Sequence, residues 1–187
     1  TSLANGLGTA LVLQIAAELR ARLPALLDKH PLRHAWVYKC DNADSASAIA
    51  PHADEAAVNI NIWLVDGWQS SGDKPTSGTG NTCGSDGTSG NNRSGSGGSN
   101  GGGLKMWLKE VPVDFDFQAF NREPARLLRW LSHAPESAQE LNIAHRVNRA
   151  VIFNSALVHQ SDVPTGAMRG CSFADRRMNF TLLFGQR

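Results

Sequence analysis

The stretch Pro51-His52-Ala53-Asp54, continuing through Ala57-Val58-Asn59-Ile60-Asn61-Ile62-Trp63-Leu64, sets an imidazole and a carboxylate at the mouth of a run rich in β-branched and aromatic residues. Such a run reads as a strand. In extended backbone, residues i and i+2 point to the same side, so His52 and Asp54 can hold one object between them. A nitrogen donor beside a hard oxygen donor at that spacing suits a first-row transition metal. Alone, a His-x-Asp triplet is a weak signal. A third donor and a framework have to come from elsewhere in the chain.

Upstream the pattern is helical. From Thr9 to Lys29, Leu11, Ile15, Leu19, Leu23 and Leu26 recur at three- and four-residue steps, predicting a helix that packs an apolar stripe on a sheet. Thr9 is the expected cap, and Pro24 is expected to kink the helix or to open a second one. Ala35-Trp36-Val37-Tyr38-Lys39-Cys40 reads as a strand with Trp36, Tyr38 and Cys40 on one side. Tyr38 is either an ordinary half-buried aromatic or a hydroxyl presented to a pocket.

Downstream, the strand is expected to close at Val65 to Trp68, and the composition then changes. Ser70 to Gly103 is mostly Gly, Ser, Thr and Asn, too poor in apolar surface to offset the entropy of ordering it. It reads as a flexible insertion into one loop of a single domain, at about residues 70–103, because neither flank makes a complete core. Closing so long a loop costs little extra entropy. The segment is either a decoration or a flap over a site.

Strand character resumes at Leu104 to Val111. Phe115 to Phe120 turns into helix, and Pro124 opens a helix whose predicted stripe is Leu127, Leu128 and Leu131. Leu141 to Ala144 is a short strand, Arg146 to Arg149 a tight polar turn, and Ala150 to Asn154 a buried strand. Ser155 to Val158 leads to His159, and Gln160 to Phe173 reads as a loop. The last strand, Arg177-Met178-Asn179-Phe180-Thr181-Leu182-Leu183-Phe184, alternates cleanly: its even positions are apolar, and Arg177, Asn179 and Thr181 share the other face. Many short strands with few helices predict a mainly β sandwich or barrel with helices packed outside.

The totals narrow the function. At 187 residues the chain reads as one domain. Its net charge of +1 gives no electrostatic case for nucleic acid or a membrane surface as partner. Cys40, Cys83 and Cys171 form no CxxC pair, so a reducing, intracellular (cytoplasmic) compartment is the default expectation. No run approaches the twenty or so apolar residues needed to span a bilayer, and Leu11 to Ala17 does not read as a signal peptide. The chain opens on Thr1 rather than Met, which is expected of a fragment or a processed form.

His159, at the end of a predicted strand, is the natural third donor. Two imidazoles and one carboxylate on strands of a β-domain make the facial triad of non-haem Fe(II) oxygenases, leaving positions for a co-substrate and O₂. Arg177 offers a bidentate fork for a carboxylate, with Asn179 and Thr181 beside it as neutral hydrogen-bond partners.

His52-Ala53-Asp54, Val58-Asn59-Ile60-Asn61-Ile62-Trp63, Asn148-Arg149-Ala150-Val151-Ile152-Phe153, His159 and Arg177-x-Asn179-x-Thr181-Leu182-Leu183-Phe184-Gly185 together resemble the Fe(II)/2-oxoglutarate-dependent oxygenase superfamily. More narrowly they look like bacterial-type oxygenase domains often joined to tetratricopeptide repeats, prolyl-hydroxylase- or AlkB-like, and the Arg-x-Asn-x-Thr run is similar to the terminal strand of AlkB-type demethylases. The resemblance covers nearly the whole chain apart from the insertion. It implies a double-stranded β-helix (a jelly roll, as in cupins), with His52, Asp54 and His159 on iron. Arg177 would hold the distal carboxylate of 2-oxoglutarate, with Asn179, Thr181 and either Tyr38 or Asn61 assisting. Arg169 stands at a spacing that other members use for the same carboxylate, so it is the alternative anchor. The implied chemistry consumes 2-oxoglutarate and O₂, gives succinate and CO₂, and hydroxylates a substrate C–H, with ascorbate in support. The substrate expected is a protein side chain or a metabolite. The competing reading is a jelly-roll module that binds metal or ligand without catalysis, within a larger protein.

Overall fold

Arg177–Phe184 forms β7, a strand with neighbours on both edges, and the larger sheet is built around it. The computed structural model describes residues 2–40, 49–65, 103–133, 139–161 and 177–187. The other strands are β1 (Leu32–Cys40), β2 (Val58–Trp63), β3 (Leu104–Glu110), β4 (Glu140–Ile143), β5 (Ala150–Asn154) and β6 (Leu157–Ser161). They pair as β1-β7-β2-β5 and as β4-β3-β6, antiparallel throughout. The architecture is therefore mainly antiparallel β with a few helices.

The His-x-Asp segment adds to the smaller sheet. His52 and His159 form an antiparallel bridge, and Asp54 N–H donates to the Ser155 carbonyl at 3.0 Å. Residues 52–54 thus lie along the otherwise free edge of β6. From there the chain alternates between sheets: segment 52–54 in the smaller, β2 in the larger, β3 and β4 in the smaller, β5 larger, β6 smaller, β7 larger.

Strand alternation sorts the side chains into layers. From the larger sheet, Phe180, Leu182 and Phe184 pack with Ile60 and Ala35 against Val12, Ala16 and Leu27. Val12 and Ala16 come from α1 (Ala10–Arg22) and Leu27 from α2 (Pro24–Leu27). A fully buried leucine such as Leu27 contributes about 1.5–3 kcal/mol. On the smaller sheet, Trp107, Val111 and Val158 pack on Leu127 and Leu131, from α4 (Pro124–Ser132), which follows α3 (Phe117–Asn121). Trp63, Leu104, Met106 and Phe153 meet between the sheets. The order is helices, sheet, sheet, helices.

Several boundaries differ from expectation. Thr9 does cap α1, accepting from Val12 N–H at 3.4 Å, and Pro24 begins a separate helix. The buried stripe of α1, however, runs through Val12 and Ala16, while Leu11 is 65 % exposed. Leu26 and Leu128 likewise face outward. The rest of the expected lines holds: Ile15, Leu19 and Leu23 pack against the core, and Leu127 and Leu131 are buried. β1 starts earlier, at Leu32, β2 ends at Trp63, and His159 sits inside β6 rather than after a strand. The Gly/Ser-rich segment connects β2 to β3, and its residues up to 102 lie outside the described residues. So does Arg169, and so does most of the expected loop 160–173.

Two backbone positions carry positive φ for evident reasons. Asn148 (φ 59°) turns the chain where Arg149 N–H donates to Arg146 at 3.2 Å, the left-handed conformation that Asn tolerates. Gly185 (φ 70°) ends β7, and a Cβ there would collide with the His30 ring.

Candidate metal centre

Both histidines hold a fixed tautomer because of where their strands put them. His159 Nδ1 lies 2.9 Å from the Leu157 carbonyl, and His52 Nδ1 lies 2.8 Å from the Ala50 carbonyl. A carbonyl oxygen only accepts, so each Nδ1 carries the proton and each Nε2 keeps its lone pair. Those two Nε2 atoms face the same carboxylate: His159 Nε2 is 3.4 Å from Asp54 Oδ2 and His52 Nε2 is 3.9 Å from Asp54 Oδ1. One donor atom from each of the three lies within 4.8 Å of the others, a group that could hold a metal ion. Cis donors about 2.1 Å from a metal sit about 3 Å apart, so slight side-chain shifts bring the three onto one ion. The donor set, two imidazoles and a carboxylate, fits Fe(II).

Neighbours orient the carboxylate and tune the set. Asn59 Nδ2 donates to Asp54 Oδ2 at 2.8 Å. Burial and the adjacent His159 push the His52 imidazole below its ordinary value, against the pull of Asp54 and the Ala50 carbonyl. That favours the neutral ring, which is the form that binds metal. Burial works to raise the Asp54 carboxyl, but in acid, with the imidazoles protonated, the His159 hydrogen bond and charge, the His52 charge and the Asn59 amide outweigh it and hold it below the usual range.

The three donors open onto a small cavity of about 20 Å³ between the sheets. Of the residues singled out in the sequence, Asn61, Asn179 and Thr181 line it with the triad, while Tyr38 and Arg177 do not. Thr181 stands between Trp36 and Asn61 across β1, β7 and β2, and Asn179 between Tyr38 and Trp63. Arg177 is one further step along β7, 2 % exposed, and donates to the Gly103 carbonyl at 3.3 Å. From Leu183, level with Asn59, to Arg177 is about 20 Å of strand by the usual rise, with Thr181 and Asn179 between. The Asn59, Asn61 and Asn179 amide oxygens are buried and have no hydrogen-bond partner among the described residues. Buried polar atoms in a cavity wall call for a polar occupant, and an amide turned over offers N–H groups to a carboxylate. The wall is polar and short of partners where it meets the metal-binding group.

Sequence reasoning overlooked several of the residues here. Trp36, Ser161, Ile49 and Leu104 complete the wall, and Asn59 was quoted without a role. Its odd-numbered alternation with Asn61 was the available signal. Gly103 was counted with the insertion, yet it is buried, and a Cβ on it would collide with the Ile143 carbonyl oxygen. A second, larger cleft of about 330 Å³ shares Trp36 and Asp54 with the first, and Arg33, Glu55 and Gln186 also line it.

No family model matches the sequence, and no curated protein matches it. Among solved structures, the chain is similar to a prolyl-4-hydroxylase from Pseudomonas putida, at 15 % identity and a TM-score of 0.45 over 100 % of this chain and 71 % of that one. It is also similar to a prolyl 4-hydroxylase from Phytophthora capsici, at 12 % identity and a TM-score of 0.40 over 95 % of this chain and 40 % of that one. Both likenesses are too slight to carry an assignment. Among the described residues no helix is long and apolar enough to cross a membrane.

Proposed function

We propose that the chain is a single Fe(II)- and 2-oxoglutarate-dependent oxygenase domain with a double-stranded β-helix core, hydroxylating a substrate presented at the outer cleft. One observation carries the reading: both Nδ1 atoms are committed to backbone carbonyls, so the His52 and His159 Nε2 lone pairs converge with the Asp54 carboxylate at one polar cavity. The alternation of the chain between the two sheets supports the β-helix.

In this reading His52, Asp54 and His159 hold the iron, and three ligands on one face leave room for co-substrate and O₂. Bound iron supplies the redox chemistry that couples oxidative decarboxylation of 2-oxoglutarate to hydroxylation of a C–H bond. The protein's own contribution is positioning. Asn59 keeps one carboxylate oxygen of Asp54 occupied, Asn61, Asn179 and Thr181 would line the bed for the co-substrate chain, and Arg177, one step further along β7, would anchor its distal carboxylate. Trp36 lines both this inner cavity and the outer cleft, where the substrate, a protein side chain or a metabolite, would approach.

The test is conversion of 2-oxoglutarate to succinate by purified protein with Fe(II) and ascorbate. Turnover is expected in the wild type and should vanish in His52→Ala and Asp54→Ala. Metal and 2-oxoglutarate binding without turnover, under a broad set of substrates, would instead favour the non-catalytic module.

A further inference from the structure

We infer that Asn121 is a positioning residue for the metal centre, pairing through its side-chain amide with the backbone of Ala53 as a neighbouring strand would. Ala53 N–H donates to Asn121 Oδ1 at 3.1 Å, and Asn121 Nδ2 donates to the Ala53 carbonyl at 2.8 Å. The inference rests on the metal-centre reading above and extends it to a residue that touches neither ligand side chain.

The geometry follows from extended backbone. Within a strand, the N–H and C=O of one residue point to the same edge, and those of the next residue to the other. His52 exchanges both of its backbone hydrogen bonds with His159 of β6, and Asp54 N–H also turns toward β6, onto Ser155. Ala53, between them, directs its two backbone groups away from β6. No strand of the described fold lies on that side, and Ala53 is fully buried, so its donor and acceptor need partners. A carboxamide carries one donor and one acceptor in a plane, the same pair that a peptide edge presents. Asn121, the last residue of α3, supplies it. The helix is held in turn by its Asp116 cap, whose carboxylate accepts from Ala119 N–H at 2.9 Å. The short strand bearing two of the three donors is thereby fixed on both edges: by β6, which carries the third donor, and by one amide.

Without that amide, Ala53 must seek other partners, and the strand is free to rotate or lift on its outer edge. The His52 and Asp54 side chains would then lose their alignment with His159 while the sheets and helices stay in place. Groups that orient ligands indirectly are commonly worth about 10–100-fold in metal affinity.

Co(II) is the probe, since its visible d–d bands report ligand geometry directly. Titrated into metal-free full-length protein, Co(II) is expected to give bands in the wild type. Asn121→Ala should bind about 10–100-fold more weakly with altered band positions or intensities. Asn121→Asp, equal in size, keeps the acceptor but sets a carboxylate against the Ala53 carbonyl, and it should also weaken binding. Leu27→Ala, which removes packing from the helices on the larger sheet, in a cluster that does not include residues 52–54, controls for lost stability and should keep the wild-type spectrum. Wild-type affinity and spectrum in a folded Asn121→Ala or Asn121→Asp protein would overturn the inference alone, as would an equal spectral change in Leu27→Ala. A wild type that takes up no Co(II) overturns the metal-centre reading and this inference with it.

Discussion

His52 and His159 are direct antiparallel partners: they exchange both backbone hydrogen bonds, at 3.0 and 2.9 Å, and their rings lie 4.3 Å apart between centroids. The backbone ladder therefore brings the two donors together before any ion arrives. Metal addition is expected to leave the far-ultraviolet circular dichroism unchanged while raising the melting temperature. At a free-metal concentration of 100 Kd the gain is about 2.7 kcal/mol, or roughly 5–10 °C for a domain of this size. His159→Ala should abolish the shift. A large spectral change on binding would mean that the site forms only with the ion.

Asn59, 1 % exposed, holds Asp54 through a single 2.8 Å hydrogen bond. Asn59→Leu keeps the volume and removes the donor. Metal affinity is expected to fall about tenfold or more, measured by competition with a chelator. Unchanged affinity would show that Asp54 is aligned by its backbone alone.

The pH dependence of the metal-free protein follows from two shifts of the same sign. His52 and Asp54 both bind a proton more weakly in the folded chain than their ordinary values of 6.5 and 3.8. As pH falls, the unfolded chain takes up each proton first, so stability falls with acid. The His52 contribution goes as pH drops below about 6.5, and the Asp54 contribution as it drops below about 3.8. In urea denaturation, His52→Gln should lose the upper stage and Asp54→Asn the lower. A difference between wild type and His52→Gln that does not vary between pH 7 and pH 5 would contradict the sign derived for His52.

If Arg177 holds the co-substrate's distal carboxylate as proposed, Arg177→Lys should raise the KM for 2-oxoglutarate about tenfold or more, because an ammonium cannot reproduce the planar fork. Co(II) affinity should not change. If Arg169→Lys has that effect and Arg177→Lys does not, the anchor belongs to Arg169.

At Gly103, where a Cβ would meet the Ile143 carbonyl oxygen, the Ala variant must push apart the start of β3 and the end of β4. A loss of about 1–3 kcal/mol is expected, read as a lower urea midpoint. The Gly103 carbonyl also accepts from Arg177, so the KM for 2-oxoglutarate should rise with it. A stable Gly103→Ala with an unchanged KM would detach that carbonyl from the site.

How far the sequence could be read depended on whether a residue's role is local. His52 and Asp54 were legible because strand alternation alone puts them on one side, and Asn179 and Thr181 because β7 alternates without a break. Leu11 and Leu128 were misjudged because leucine spacing indicates a stripe but not its extent: Ile15, Leu19, Leu127 and Leu131 reach the core, and Leu11 and Leu128 do not. Asn121 was out of reach: its partner Ala53 is 68 positions away, and nothing around it distinguishes it from any polar residue at a helix end. Gly103 was hidden for the opposite reason, since it closes a run of glycines and looks like the rest of them.

One strand, β7, writes two messages in alternate letters: Phe180, Leu182 and Phe184 toward the helices, and Asn179 and Thr181 toward the cavity. A slip of a single residue would exchange them wholesale. Deletions or insertions there are thus barred to natural drift and to engineers alike, whereas Trp36, Ile49, Leu104 and Ser161, which edge the cavity from other segments, can be retuned one at a time. Any campaign to change what this protein accepts should leave the last strand alone and begin at those four.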